Sequence, residues 1–107
     1  MKRVAVMWRF KEETAEYYKE RHLNPWPELV KVFQEKGFHN FSIWAAGTYA
    51  FLYAEIEGDN FAEAMAEVDA TEIKKKWQAD MNPMLEDEAI PGTGVQFMEM
   101  EEIWYLE

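Results

Sequence analysis

The residues with the clearest chemical potential lie in one short stretch near the N-terminus. Tyr18 precedes His22 by four positions, and Trp26 follows His22 by four. On a helix, Tyr18 and His22 share one face and can reach the same ligand. An imidazole titrates near neutral pH and can act as a general acid or base, a phenol can orient a hydroxyl, and an indole offers an apolar platform for a sugar. The stretch therefore predicts a site for a small, partly apolar ligand.

Two prolines predict where the helix that carries this pair ends. Pro25 and Pro27 each lack an amide hydrogen, and each disfavours the helical conformation in the residue before it. Proline is accepted in a first helical turn, so a new helix can start here with Asn24 or Trp26 as its cap. We therefore expect His22 at a helix break, with its side chain facing a cleft.

Each of these residues also has a purely structural interpretation. A single histidine beside a helix end is more often a capping or solvated residue, and an aromatic at helical spacing, such as Trp77, is usually part of the core. His39, at the entry to a strand, is expected to be structural. The chain has two histidines and no cysteine, so no spacing indicates a metal site. Neither a glycine-rich phosphate loop nor a nucleophile elbow is present.

Hydrophobic periodicity predicts the elements that position these residues. Alternating patterns predict strands at 3–10, 38–46, 49–57 and 95–106. Helical patterns predict two broken helices, with pieces at 11–23, after the prolines up to Gly37, at 61–68, and from 69–72 to 81. The segment 85–94 is expected to be a loop. This order predicts a ferredoxin-like α+β sandwich, a single domain over 1–107 with the helices on one face of a four-stranded antiparallel sheet, of the dimeric α/β-barrel type.

Charge and composition limit the partners. Eleven basic and 21 acidic residues give a net charge of −10, which disfavours nucleic acid, anionic membranes and polyphosphorylated substrates. No apolar run approaches membrane-spanning length, and the N-terminus lacks the pattern of a secretory signal. We therefore expect a cytoplasmic protein whose substrate does not carry several phosphates.

The predicted strands are apolar on both faces. In the third strand, Phe51 and Tyr53 alternate with Leu52, Ala54 and Ile56. Helices can cover only one face, and an antiparallel sheet face exposed to water is normally more polar than this. The pattern indicates that a ligand, a second subunit or both contact the other face, and we predict a homodimer.

The sequence resembles the L-rhamnose mutarotase family over most of its length. The matching segments are Tyr18-Lys-Glu-Arg-His22, Trp26-Pro27-Glu28-Leu29, His39-Asn40-Phe41-Ser42-Ile43, the run from Thr71 through Trp77 to Met81, and Trp104-Tyr105-Leu106. The resemblance implies a ferredoxin-like dimer that binds one sugar in each protomer without cofactor or metal. It also implies that His22 is the proton donor and that Tyr18 contacts the sugar.

Two positions depart from the family pattern. Phe41 stands where the family has a sugar-contacting tyrosine, and the family's adjacent tryptophans correspond here to Trp77 and Gln78. We expect these three residues, with Trp26, to line the substrate site. The function implied is interconversion of the α and β anomers of L-rhamnose or a related 6-deoxy sugar by acid–base ring opening and closure. The identity of the sugar does not follow, because a site built for one hydroxyl pattern tolerates another poorly.

Two other functions fit the same fold. A cofactor-free dimeric-barrel monooxygenase would hold an electron-rich aromatic substrate in an apolar pocket, and Phe41 suits that reading. A non-catalytic module would bind a sugar or another metabolite without turnover. Oxygen uptake with a quinol-type substrate would favour the first, and binding that survives His22→Ala without any rate acceleration would favour the second.

Overall fold

A computed structural model describes residues 1–107. The regular elements are β1 (Lys2–Arg9), α1 (Ala15–Leu23), α2 (Pro27–Glu35), β2 (Phe38–Ala46), β3 (Tyr49–Ile56), α3 (Phe61–Asp69), α4 (Glu72–Met81) and β4 (Met98–Glu99). Short 3-10 turns at Glu12–Thr14 and Asn82–Met84 precede α1 and follow α4. All strands pair antiparallel in the order β2-β3-β1-β4. The predicted ferredoxin-like α+β class is confirmed.

Strand alternation gives the sheet an inner face, packed by the helices, and an outer face on the opposite side. In β1, Val4, Val6 and Trp8 are buried on the inner face, while Ala5 and Met7 are only partly buried on the outer face. Their partners in β3 alternate in the same way, because the two strands are paired without a break from Lys2 to Arg9. The core therefore lies between the inner face and the helices.

The helix breaks follow local sequence signals. The proline break is present: α1 ends at Leu23, and α2 begins with Pro27 at its first position and Trp26 as its N-cap. In α3 the side chain of Asn60 caps the helix by accepting from a backbone amide at 3.0 Å. Thr71 does the same for α4 at 3.4 Å. The proline break thus sets where α1 stops, and the Thr71 cap sets where α4 starts.

A bulge in β2 changes which face one candidate residue occupies. The pairing with β3 shifts by one residue between His39 and Ser42, and Asn40 adopts a left-handed conformation with φ 46°. Asparagine tolerates this region better than most residues. The extra residue turns Phe41 to the inner face, where its ring centroid lies 4.8 Å from that of Phe33. Without the bulge, strict alternation would place Phe41 on the outer face.

The predicted strand at 95–106 is wrong over most of its length. The structure has only Met98–Glu99 as a strand, followed by one further backbone bond from the Met100 amide to the Ala5 carbonyl at 2.7 Å. Residues 101–107 have no regular structure and are exposed. The alternating apolar pattern of this segment misled the prediction.

Side-chain contacts replace the missing backbone ladder. The guanidinium of Arg3 donates to both carboxylate oxygens of Glu102, at 2.9 and 2.8 Å, and lies 3.5 Å from the ring centroid of Tyr105. Beyond Met100 the segment is thus joined to β1 by a fork of charged hydrogen bonds and a cation–π contact, and not by backbone pairing.

The other element ends differ from the sequence predictions by small margins. Phe10 does not extend β1 but forms an isolated bridge with Leu85. The first helix starts with the 3-10 turn and becomes α-helical only at Ala15. Such differences are common at element ends. The segment 85–94 is irregular, as expected of a loop, and Ile90 anchors it in a buried position.

Candidate active site

A wide cleft of about 1640 Å³ lies between the inner face of the sheet and the helices; we call it the inner cleft. Of its 36 lining residues 22 are hydrophobic, and most of the others are polar. Ligand sites usually have this composition. Five of the six site residues expected from the sequence line it, namely Tyr18, His22, Phe41, Trp77 and Gln78. Trp26 does not.

The structure fixes the protonation pattern of the His22 ring. Its Nδ1 lies 2.8 Å from the backbone carbonyl of Tyr18, one helical turn earlier. A carbonyl can only accept, so Nδ1 carries a proton, and in the neutral ring the lone pair is on Nε2. The pKa of His22 is lowered from its usual value, first by burial and also by the positive charge of Arg21, against the opposing effect of the carbonyl bond. His22 is therefore favoured as a neutral imidazole with an accepting Nε2.

Tyr18 is held in a defined orientation beside this imidazole. Its side chain is only 4% exposed, its ring stacks on Phe10 at 4.7 Å, and its centroid lies 4.4 Å from that of His22. The indole Nε1–H of Trp8 donates to the Tyr18 oxygen at 2.8 Å. Burial raises the pKa of Tyr18 to about 12, so the phenol stays protonated and its own O–H remains free to donate.

Trp8 was missed as a functional residue because the strand pattern identified it only as part of the core. It lines the inner cleft as well as contacting Tyr18. One sequence signal was available: a buried indole N–H needs a hydrogen-bond partner, and a tyrosine nearby could supply the oxygen.

The two predicted tryptophans have different positions. Trp77 is 6% exposed and presents its edge to His22 at 5.5 Å between centroids. Trp26 packs edge-on against Trp77 at 5.3 Å. The Arg21 guanidinium lies 5.3 Å from the Trp26 ring and 5.1 Å from the Trp77 ring, and it is paired with Asp80 at 3.3 Å. The structure therefore places Trp26 as a support for Trp77 rather than at the cleft surface.

Phe41 and Gln78 present surfaces of different polarity to the cleft. Phe41 lies in a cluster with Phe33 and Phe38 and offers no polar group to the cleft. The carboxamide of Gln78 accepts from Lys74 Nζ at 3.2 Å and donates to Asn82 Oδ1 at 2.7 Å. The inner cleft thus has an apolar region at the phenylalanines and a polar region on α4.

His39 also borders the inner cleft but is held by a different contact. Its Nε2 lies 2.6 Å from a carboxylate oxygen of Glu57, and its side chain is 40% exposed. This contact ties the start of β2 to the end of β3, as expected for a structural residue. No group of three or more histidine, aspartate or glutamate side chains is arranged to hold a metal ion.

Comparison with known proteins identifies the family. The family model described as L-rhamnose mutarotase matches residues 3–106. This chain belongs to the L-rhamnose mutarotase family. The L-rhamnose mutarotase of Tolumonas auensis is 32% identical to it over 99% of both chains. The crystal structure of an L-rhamnose mutarotase from Formosa agariphila superposes with a TM-score of 0.77 at 27% identity, covering 100% of both chains.

A second solved structure has a similar fold only. A putative antibiotic biosynthesis monooxygenase from Nitrosomonas europaea superposes with a TM-score of 0.61 over 92% of this chain and 84% of its own, at 17% identity. At that identity the likeness concerns the fold and carries no statement about chemistry.

None of the helices is long and apolar enough to cross a membrane.

Proposed function

We propose that this chain is a mutarotase that interconverts the α and β anomers of L-rhamnose or a related 6-deoxy sugar. The observation that carries the proposal is the His22–Tyr18 pair in the inner cleft, with an accepting nitrogen on one ring and a free phenolic O–H on the other. Family membership supports the same reaction.

One imidazole nitrogen can serve the whole ring-opening step. Nε2 of neutral His22 takes the proton of the anomeric hydroxyl, and the C1–O1 bond becomes a carbonyl. The C1–O5 bond breaks, its electron pair passes to the ring oxygen, and the protonated imidazole returns the proton to that oxygen. Both oxygens are bonded to C1, so a small shift of the sugar brings each to the same nitrogen. Rotation about C1–C2 and the reverse sequence give the other anomer.

In this scheme His22 is both acceptor and proton donor in turn. The lowered pKa favours the neutral ring that must begin the cycle. The proton donor role implied by the sequence resemblance then belongs to the second half of ring opening.

Tyr18 is suited to hold the reacting end of the sugar. Because the Trp8 indole N–H occupies one lone pair of the Tyr18 oxygen, the phenolic proton is free for another acceptor. A hydrogen bond from this O–H to a sugar oxygen would keep the open chain in place between opening and closure. With the burial that keeps it protonated, Tyr18 acts as a donor and not as a base.

Saturation-transfer NMR of the L-rhamnose anomers tests this function. We expect the parent protein to accelerate exchange above the buffer rate, and His22→Ala to remove the acceleration. His39→Ala is the matched control, since it deletes the chain's other imidazole, which is paired with Glu57. Normal exchange by His22→Ala would refute the proton-shuttle role.

The same measurement separates the other two candidate functions. No acceleration of any aldose by the parent would refute the mutarotase proposal. If the parent and His22→Ala then bound a sugar equally well, a binding module would be indicated, whereas oxygen uptake with a quinol substrate would indicate a monooxygenase.

We also infer that the protein forms a homodimer through the outer face of the sheet. Trp44 is 67% exposed on that face, and Phe51 and Tyr53 are only partly covered beside it. Burial of apolar surface stabilises by roughly 25 cal/mol per Å², so several aromatic side chains favour association. Light scattering should give a dimer mass for the parent and a monomer mass for Trp44→Glu. Tyr17→Glu, at an exposed aromatic on α1, is the control and should remain dimeric.

Location and domain organisation remain predictions. We expect a cytoplasmic protein that neither binds nucleic acid nor associates with membranes, since its net charge of −10 repels anionic surfaces. Cell fractionation checks the first expectation, and a single cooperative unfolding transition would support a single domain over 1–107.

A further inference from the structure

Four polar side chains form a continuous hydrogen-bonded row along one wall of the inner cleft. Lys74, Gln78 and Asn82 are spaced four residues apart, so they follow one face of α4 and the turn after it. Lys74 Nζ donates to Asp69 Oδ1 at 2.7 Å and to Gln78 at 3.2 Å, and Gln78 donates to Asn82 at 2.7 Å. All four line the cleft. We call this row the α4 polar wall.

The α4 polar wall is rich in unused donors. An ammonium carries three hydrogens and each carboxamide carries two. Lys74 has one N–H left, Gln78 has one, and both hydrogens of the Asn82 amide lack a protein acceptor. The side chain of Lys74 is 13% exposed, so its ammonium is held against the wall and not extended into water.

The charge of the wall selects the kind of ligand. The Lys74 ammonium is neutralised by the Asp69 carboxylate, and the remaining members are uncharged amides. A wall with no net charge and several donors suits neutral hydroxyl oxygens, each of which can accept two hydrogen bonds, better than an anionic group.

The phenylalanine cluster is apolar where the α4 polar wall is polar, and this difference sets the orientation of a bound sugar. Phe33, Phe38 and Phe41 line another part of the cleft and offer only apolar surface. A 6-deoxy sugar has one edge with a methyl group and another with neighbouring hydroxyls. Desolvated donors without partners are costly, so the hydroxyl-bearing edge belongs at the α4 polar wall and the methyl-bearing edge at the phenylalanines.

We propose that Lys74, Gln78 and Asn82 recognise two neighbouring hydroxyls of the pyranose, with Asp69 positioning Lys74, and thereby set the sugar specificity of this site. This inference rests on the proposed mutarotase function. It assigns Lys74 and Asn82 to substrate binding and Asp69 to a positioning role, and it explains how Gln78 can contribute without an aromatic ring.

A double-mutant-type cycle, in which one change removes a sugar hydroxyl and the other replaces Gln78, tests the proposal. Anomer exchange would be measured for L-rhamnose and for its 2-, 3- and 4-deoxy analogues, with the parent protein and with Gln78→Leu. For the hydroxyl that Gln78 binds, the parent should lose roughly fivefold in kcat/KM when that hydroxyl is removed, as expected for one hydrogen bond. In Gln78→Leu the same removal should have little further effect. The loss should be mainly in KM, because the wall does not touch the proton shuttle.

Two lysines on α4 provide a matched control. Lys74→Met removes a member of the wall, while Lys76→Met removes an exposed ammonium of the same helix that does not line the cleft. Only Lys74→Met should raise KM for L-rhamnose, and thermal unfolding confirms that both variants are folded.

The possible outcomes are distinct. The hydroxyl-recognition proposal is overturned, while the mutarotase function stands, in either of two cases. In the first, each deoxy analogue lowers kcat/KM equally with the parent and with Gln78→Leu. In the second, Lys74→Met and Lys76→Met have the same KM for L-rhamnose. If the parent accelerates no exchange at all, the proposed function itself fails.

Discussion

Both faces of the sheet carry large apolar side chains, but only those of the inner face are covered. On the inner face, Val4, Val6 and Trp8 are covered by the helices and surround the cleft. On the outer face, Trp44 remains largely exposed and Phe51 is only partly buried. Both follow from one alternating pattern, since neighbouring residues in a strand point to opposite sides.

The two faces contribute differently to folding, catalysis and association. The inner face contributes packing and also the Trp8–Tyr18 hydrogen bond that orients the site. The outer face offers apolar area without any fully buried hydrogen bond: the bond from Trp44 Nε1 to Ser42 at 2.9 Å is exposed, and that from Tyr53 to Glu55 at 2.7 Å is part-buried. We therefore expect inner-face changes to affect folding and catalysis, and outer-face changes to affect association.

The largest expected effect is on stability. Ile56 is fully buried on the inner face, and Ile56→Ala should lower the free energy of unfolding by about 2–5 kcal/mol. Phe51→Ala, on the same strand but on the outer face, should cost roughly 1 kcal/mol in dilute solution, because that side chain is already partly in water. Urea unfolding monitored by circular dichroism measures both.

Protein concentration sharpens this prediction. If a second copy covers the outer face, the cost of Phe51→Ala should grow with protein concentration while that of Ile56→Ala stays constant. Equal costs for the two variants at every concentration would contradict the distinction between the faces.

A smaller effect is expected from two tryptophans on opposite faces. Trp8→Phe removes the indole N–H that fixes Tyr18 and should lower kcat for anomer exchange about fivefold, the value of one buried hydrogen bond. Trp44 also borders the cleft, but its exposed indole N–H bonds to Ser42 and not to Tyr18, so Trp44→Phe should leave kcat unchanged.

A second variant distinguishes positioning from mere packing. In a Tyr18→Phe background the phenolic oxygen is gone, so Trp8→Phe should have no further effect on kcat. An unchanged fivefold loss in that background would mean that Trp8 acts through the core and not through Tyr18.

The sequence was informative where a local signal decides the outcome. The strand alternation, the proline break and the Tyr18/His22 spacing each predicted a feature that the structure contains. The segment 95–106 was mispredicted because its apolar and polar residues do alternate as in a strand. Its contact with the rest of the chain, from Arg3 to Glu102, joins residues far apart in sequence and cannot be seen in that alternation.

Other features of the site also depended on non-local contacts. The inward position of Phe41 requires a single-residue bulge, and no residue count along β2 alone reveals one. The members of the α4 polar wall are close in sequence, since Asp69 lies five residues before Lys74, and only their position on the inner cleft depends on how α4 packs. The candidate catalytic pair could thus be predicted from helical spacing, whereas the inward position of Phe41 and the packing of α4 against the cleft could not.

The smallest expected effect concerns pH and compares the two histidines directly. The pKa of His22 is lowered by burial, so its NMR titration midpoint should fall below the ordinary value of about 6.5. The unfolded chain then binds more protons than the folded one at mildly acidic pH, so the contribution of this group to stability is complete above about pH 6.5 and declines as the pH falls toward the folded pKa.

Exchange of the anomers should therefore persist somewhat below pH 6.5, where a free imidazole would already be mostly protonated. The variant His22→Asn should lose this part of the pH dependence of unfolding, and His39→Asn should retain it. A His22 midpoint at or above 6.5 would contradict both the neutral starting form of the shuttle and the effect of burial on the inner face.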